Sequence, residues 1–210
     1  MSSSPVVVIR RADNAVVQAE LIDGVQPRDL GLIERVWTPV RAQILAKLRA
    51  ASVAPVDWPQ SLRWDWSRKE GELKLLEAGG FGVICDGDWQ GVMLTKSASH
   101  VALLASQRSK PLVYVDYVET APWNWPIAAI GEQGRYRGVG SVLIREAMNE
   151  SIRQGFKGRI GLHALPQAER FYDSVCGLTE IGRDPNKQNL LYFECSPEAA
   201  EKFLDEGGES

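Results

Sequence analysis

Apolar residues change their period along this chain, and the changes divide it into elements. The segment "PVVVIRRA", starting at Pro5, reads as an opening strand. In "QPRDLGLIERVWTPVRAQILAKLRAA" the residues Leu32, Val36, Val40, Ile44 and Leu48 recur at helical spacing. Thr38 ahead of Pro39 has the form of an N-cap followed by a first-turn proline, so this stretch predicts two consecutive helices. "DWPQSLRWDWSRKEGELKLL" predicts a further helical region. The period then shortens: "GFGVICDG", "WQGVMLTKS" and "LVYVDYVET" are rich in β-branched and aromatic residues and are bounded by turn residues, which predicts successive strands. A glycine loop leads into a helix reaching about Gln154. After it come a strand "GRIGLHAL", a helix "QAERFYDSVC" and two last strands near "LTEIGR" and "NLLYFEC". The expectation is an α+β fold with a mostly antiparallel central sheet flanked by helices. With no internal repeat or low-complexity linker, a single domain over residues 1–210 with short flexible ends is expected.

The stretch "GRYRGVGSVLIREAM", Gly134 to Met148, raises the first chemical question. At 3.6 residues per turn, Arg145, Glu146, Asn149, Glu150 and Arg153 form one polar arc, with Leu143, Ile144, Ala147 and Met148 opposite. The helix therefore packs by one face, and the unpaired amides of its first turn point, with those of the loop, at a common place. That place suits a phosphate: Gly138 and Gly140 admit close backbone approach, and Arg135 and Arg137 supply charge. A P-loop would need Lys-Ser or Lys-Thr after its last glycine, where this chain has Ser141-Val142. A dinucleotide fingerprint would need glycine at Leu143 and an opening βαβ unit.

Composition narrows the partners. A formal net charge of -3 leaves no global field for a nucleic acid, so anion binding must be local. Cys85, Cys176 and Cys195 have neither even number nor metal-ligand spacing, which predicts no disulfide framework, no metal site and a reducing, cytoplasmic setting. The opening "MSSSPVVVIRR" reverses the charge order of a signal peptide, and no later apolar run could span a bilayer, so no membrane partner is expected.

Arg135-x-x-Gly138-x-Gly140 between a strand and a helix resembles the pyrophosphate loop of the GNAT superfamily of acetyl-CoA-dependent N-acyltransferases. Two further segments carry the resemblance. "GLHALPQAERFYDSVCGL" is similar to the strand and helix bearing "FYxxxGF", with Phe171-Tyr172 and Gly177-Leu178 in the matching places. "LVYVDYVETAPWN" is similar to the strand that splays from its neighbour and pairs its edge with the pantetheine arm. The likeness runs from about Gly82 to Cys195, with helices near residues 28–76 as counterparts of the acceptor-side helices. It implies acetyl-CoA as cosubstrate without a metal, bound by Arg135, Arg137, Gly138, Val139, Gly140 and Ser141. It also implies acetyl transfer to a primary amine by direct attack in a ternary complex, with Tyr172 as general acid towards the leaving thiolate. Two departures stand out. "TAPWNWPIAAIGEQG" intervenes where a short connection is usual, and Ala164-Leu165-Pro166 stands where many relatives have a cofactor-binding asparagine.

The chemistry adds a base. A lysine-like amine has a pKa of about 10.4 and attacks a thioester only when neutral, so a carboxylate near the acyl group is wanted. On a regular strand Asp116 and Glu119 face opposite sides. Glu119, at the strand end nearest the expected splay, is the preferred base, with Asp116, His163 or a water chain as alternatives. Trp58, Trp64, Trp66, Trp123 and Trp125 with Asp57 and Asp65 suit a cationic acceptor, a small-molecule or peptide amine. The rival reading is a non-catalytic coenzyme-A-binding or interaction module on the same fold. The oligomeric state stays open, a homodimer included.

Overall fold

Alternating residues at both ends of one long hairpin start the sheet: Ser2–Arg10 (β1) turns at Asn14, which has φ 57°, into Val16–Asp23 (β2), a strand the sequence reading passed over. The computed structural model describes residues 1–97 and 100–206. After the helix Pro27–Ala50 (α1) come the strands Ala78–Cys85 (β3), Asp88–Lys96 (β4), Val113–Thr120 (β5) and the two-residue Tyr136–Arg137 (β6). The helix Val139–Arg153 (α2), the strands Ile160–Ala164 (β7), Thr179–Asp184 (β8) and Leu190–Glu194 (β9), and the helix Pro197–Asp205 (α3) complete the order. One sheet holds nine strands in the order β6-β1-β2-β3-β4-β5-β7-β9-β8, antiparallel except for β5 against β7. This agrees with the α+β expectation.

Two cores cover the two faces. α2 buries Leu143, Ile144, Ala147 and Met148 against Phe81, Met93, Val113, Val115 and Leu162. α1 buries Leu30, Ile33 and Trp37 with Trp66 against Val92 and Leu94. Glu146 departs from the expected polar arc: it is buried and pairs with Arg153 at 2.6 Å.

Three local expectations are corrected. α1 is unbroken, with Pro39 inside it. Ile33, Trp37, Arg41, Ile44 and Leu48 form one buried stripe, while Arg35 and Pro39 lie on the exposed face, so water can serve the carbonyl that proline leaves free. Thr38 donates to Glu34 rather than capping a helix. The region after Asp57 is a series of single 3-10 turns, interrupted by Pro59 and Gly71, and carries Trp66 into the core. α3, capped by Ser196, was not expected and receives Arg145 of α2 on its last carbonyls. No helix of the described residues is long and apolar enough to cross a membrane.

Candidate active site

Two irregularities of the sheet make room for a site. β5 pairs with β7 only from Val113 to Val115 and then runs on to Thr120 beside β4 alone, so the two parallel strands part and leave a free edge. β5 also carries a bulge that skips Asp116 in its register with β4. A bulge shifts the side-chain alternation by one. Val113, Val115 and Val118 all face the α2 core, while Tyr117 and Glu119 face α1. Asp116 and Glu119 therefore share a face, contrary to the regular-strand expectation. They do not share a role: Asp116 is tied to Lys96 at 2.7 Å, and Lys96 also holds Glu72 at 3.0 Å.

Where β5 and β7 part, a cavity of about 620 Å³ opens. Its lining includes Glu119, Arg137, Gly138, Val139 and Gly140, so the structure brings together five of the expected site residues. Gly138 caps α2 in the left-handed region at φ 89°, with open space where a Cβ would stand, so its requirement is the backbone conformation. A Cβ on Gly140 would lie 3.3 Å from the Phe171 ring, so that glycine lets Phe171 close on the helix start. The amides of the first α2 turn have no intrahelical acceptor and face this space together with two cations. The Nε atoms of Arg137 and of Arg11, which the sequence reading missed, are buried without a hydrogen-bond partner, and both residues line the cavity. Arg135 is exposed, lies over the Trp123 ring at 5.5 Å and is not part of the lining. Ser141 is buried, also outside it.

The inserted segment has a double use. Trp123 packs edge-on against Trp37 of α1, and Ile127 joins Ile44 and Leu48, while Trp125, Pro126 and Ile127 form a wall of the cavity. Across the mouth, Gln60 and Gln167 exchange hydrogen bonds from backbone amide to side chain at 3.1 and 3.2 Å, and Gln167 Nε2 donates to the Trp58 carbonyl at 2.8 Å.

Glu119 is 5% exposed, and its surroundings are built around it. Arg41 of α1 donates to Oε2 at 3.0 Å, and the Trp66 indole donates to the same oxygen. Arg41 is in turn held by Glu34 at 2.8 and 3.0 Å. Oε1 is buried and accepts no well-formed hydrogen bond, although the Ser61 hydroxyl stands close enough to favour the charged form. Burial dominates and pushes the Glu119 pKa above the usual carboxylate value against the opposing pull of Arg41, Trp66 and Ser61. His163 belongs elsewhere: it bonds Tyr114 and Asp184 and is not part of this lining.

Tyr172 is corrected. The pattern "FYxxxGF" has three residues between tyrosine and glycine, whereas Asp173, Ser174, Val175 and Cys176 make four here. The chain absorbs the extra residue in a π turn over Phe171–Val175, closed by the Cys176 amide on the Phe171 carbonyl at 3.0 Å. Phe171 faces the cavity, and Tyr172 is turned into the core against Phe193, where burial raises its pKa far above the ordinary phenol value.

No family model matches the sequence, and no curated protein is significantly similar to it. Solved structures do match its fold. A protein of uncharacterised function from Bacillus halodurans superposes with a TM-score of 0.58 at 10% identity, covering 98% of this chain and 96% of its own. The aminoglycoside acetyltransferase AAC(6')-Ib, in complex with coenzyme A and kanamycin, gives 0.53 at 15%, covering 87% and 98%. A chain described as an acetyltransferase of the GNAT family from Desulfovibrio desulfuricans gives 0.53 at 12%, covering 85% and 99%. Identities this low establish the fold alone.

Proposed function

The chain has the fold of the GNAT acetyltransferases, and on that footing we propose that it transfers an acetyl group from acetyl-CoA to a primary amine by direct attack in a ternary complex. One observation carries the reading: a buried carboxylate, Glu119, with one oxygen clamped and the other free of any well-formed hydrogen bond, shares a cavity with a glycine-capped helix start. The residues present fit the cosubstrate. The first-turn amides of α2 with Arg11 and Arg137 would hold its pyrophosphate, and the free edge of β5 beyond Val115 would pair with its amide-bearing arm.

Glu119 Oε1 takes the proton of the bound ammonium, directly or through one water, so that the nitrogen lone pair can attack the thioester carbonyl. As the tetrahedral species collapses, the carbon–sulfur bond breaks towards sulfur. The attacking nitrogen gives up its second proton in this step, which passes directly or through water to the departing thiolate; a thiol has a pKa near 8.5, so no strong acid is needed, and Glu119 returns the first proton to solvent. The acceptor, a small-molecule or peptide amine, would meet Asp57 at the rim and the Trp125 ring inside, a setting suited to a cation.

The test is free-thiol release from acetyl-CoA across a panel of diamines, aminoglycosides and peptides. At least one amine should support turnover, and Glu119→Gln should lower it about 100- to 10,000-fold while acetyl-CoA still binds. Binding without turnover on any amine would favour the non-catalytic module.

A further inference from the structure

A second pocket, of about 470 Å³, lies between His100, Val101 and Leu103 on one side and the turn joining β8 to β9 on the other. It shares no lining residue with the first cavity, yet it is close by: His163 lines this pocket and Leu165, two residues along the chain, lines the first. Both histidines of the chain are in its wall.

The polar edge of His163 is committed inside the protein. Its Nε2 is 3.2 Å from Asp184 Oδ2 and its Nδ1 is 2.8 Å from the Tyr114 hydroxyl. With Asp184 ionised, Nε2 carries the proton and Nδ1 accepts from the tyrosine, which fixes the ring. Burial holds the His163 pKa below its ordinary value against the pull of Asp184. The ring therefore offers a flat, uncharged face, with Tyr192 tilted against it at 4.7 Å. Ile181 and the half-exposed Val101 and Leu103 extend this apolar wall. Two cations stand at the rim. Arg183 is engaged by Glu169 at 3.1 Å, whereas Lys187, 5.8 Å above the Tyr114 ring, forms no ion pair among the described residues.

We propose that this pocket binds a planar anion, a carboxylate carried on an aromatic or similarly flat body, with Lys187 as counter-charge and His163, Tyr192 and Ile181 as the wall. A volume of this size holds such a molecule within the ordinary range of small-ligand sites. The ligand is either the far end of the amine acceptor or a separate compound, and the chemistry is the same for both.

Benzoate is the probe, titrated while backbone amide resonances are followed by NMR, with benzamide and cyclohexanecarboxylate alongside. Benzoate should shift residues 181–187 and bind about 3- to 10-fold more tightly than either analogue. Lys187→Gln, an exposed change that leaves the fold intact, should remove most of the advantage over benzamide, as should high salt. Ile181→Phe, which narrows the pocket, should weaken all three. Displacement by an amine substrate identifies the acceptor's own anionic end, and simultaneous binding identifies a separate ligand. Equal benzoate affinity in Lys187→Gln, or displacement of benzoate by acetyl-CoA with no shifts at 181–187, would overturn the proposal.

Discussion

Glu119 sits in a pocket that resists its charge and beside an arginine that favours it, and burial has the larger share. Since a base acts only when ionised, the acid limb of the kcat/KM profile should lie above the ordinary carboxylate value of 4.5 and vanish in Glu119→Gln. The same raised pKa fixes the sign for stability. A carboxyl that binds its proton more tightly folded than unfolded favours folding at low pH and opposes it once ionised. Wild type should therefore gain stability relative to Glu119→Gln as pH falls through the folded pKa to the ordinary carboxylate value, and keep that gain below it, which paired thermal melts would read. Arg41→Met leaves the buried Glu119 and the partly buried Glu34 without their cation and should cost about 3–5 kcal/mol, while moving the acid limb further up. Gly138→Ala forces a side chain into the left-handed region and should cost about 1–2 kcal/mol, roughly 2–8 °C in melting temperature. Glu119 was legible as a carboxylate at a strand end. Arg41 was not, because its partner is 78 positions away and nothing local marks an arginine that will be buried.

At the scale of elements, the sequence was legible in α2, where one face is buried over about four turns, and in β3, β4 and β5, where β-branched and aromatic runs between turn residues mark strands covered on both faces. Periodicity failed where packing overrides a local signal. Pro39 looks like a helix boundary, yet the stripe from Ile33 to Leu48 holds α1 straight through it. α3 is nine residues long and rests on only two buried residues, Ala200 and Phe203, too few repeats to read as a period. The bulge at Asp116 and the π turn at Phe171 each insert one residue, and each changes which side chain faces the site. Tyr172→Phe tests the second directly. With the hydroxyl in the core, acetyl-transfer turnover should stay within about threefold of wild type, whereas a general acid would show at least about a 100-fold loss in a single-turnover measurement.

For the whole molecule, the class of fold and the glycine-capped helix start were legible because both rest on contiguous sequence. The cavity was not, since its walls come from segments as far apart as Arg11, Ser61, Trp125 and Phe171. The bridge between Gln60 and Gln167 is a product of the folded chain in the same way, and Gln167→Ala should speed both entry and release of cosubstrate in stopped-flow binding. The central claim is that this assembled cavity receives acetyl-CoA at the start of α2. Calorimetric titration of the wild-type protein and of an Arg11→Ala, Arg137→Ala double variant with acetyl-CoA tests it most directly. The account predicts one site per chain, with affinity at least about tenfold lower in the variant, since two charge-assisted contacts are removed, and similar melting temperatures for both proteins. Absence of binding in wild type, or the same affinity in a folded variant, would contradict it.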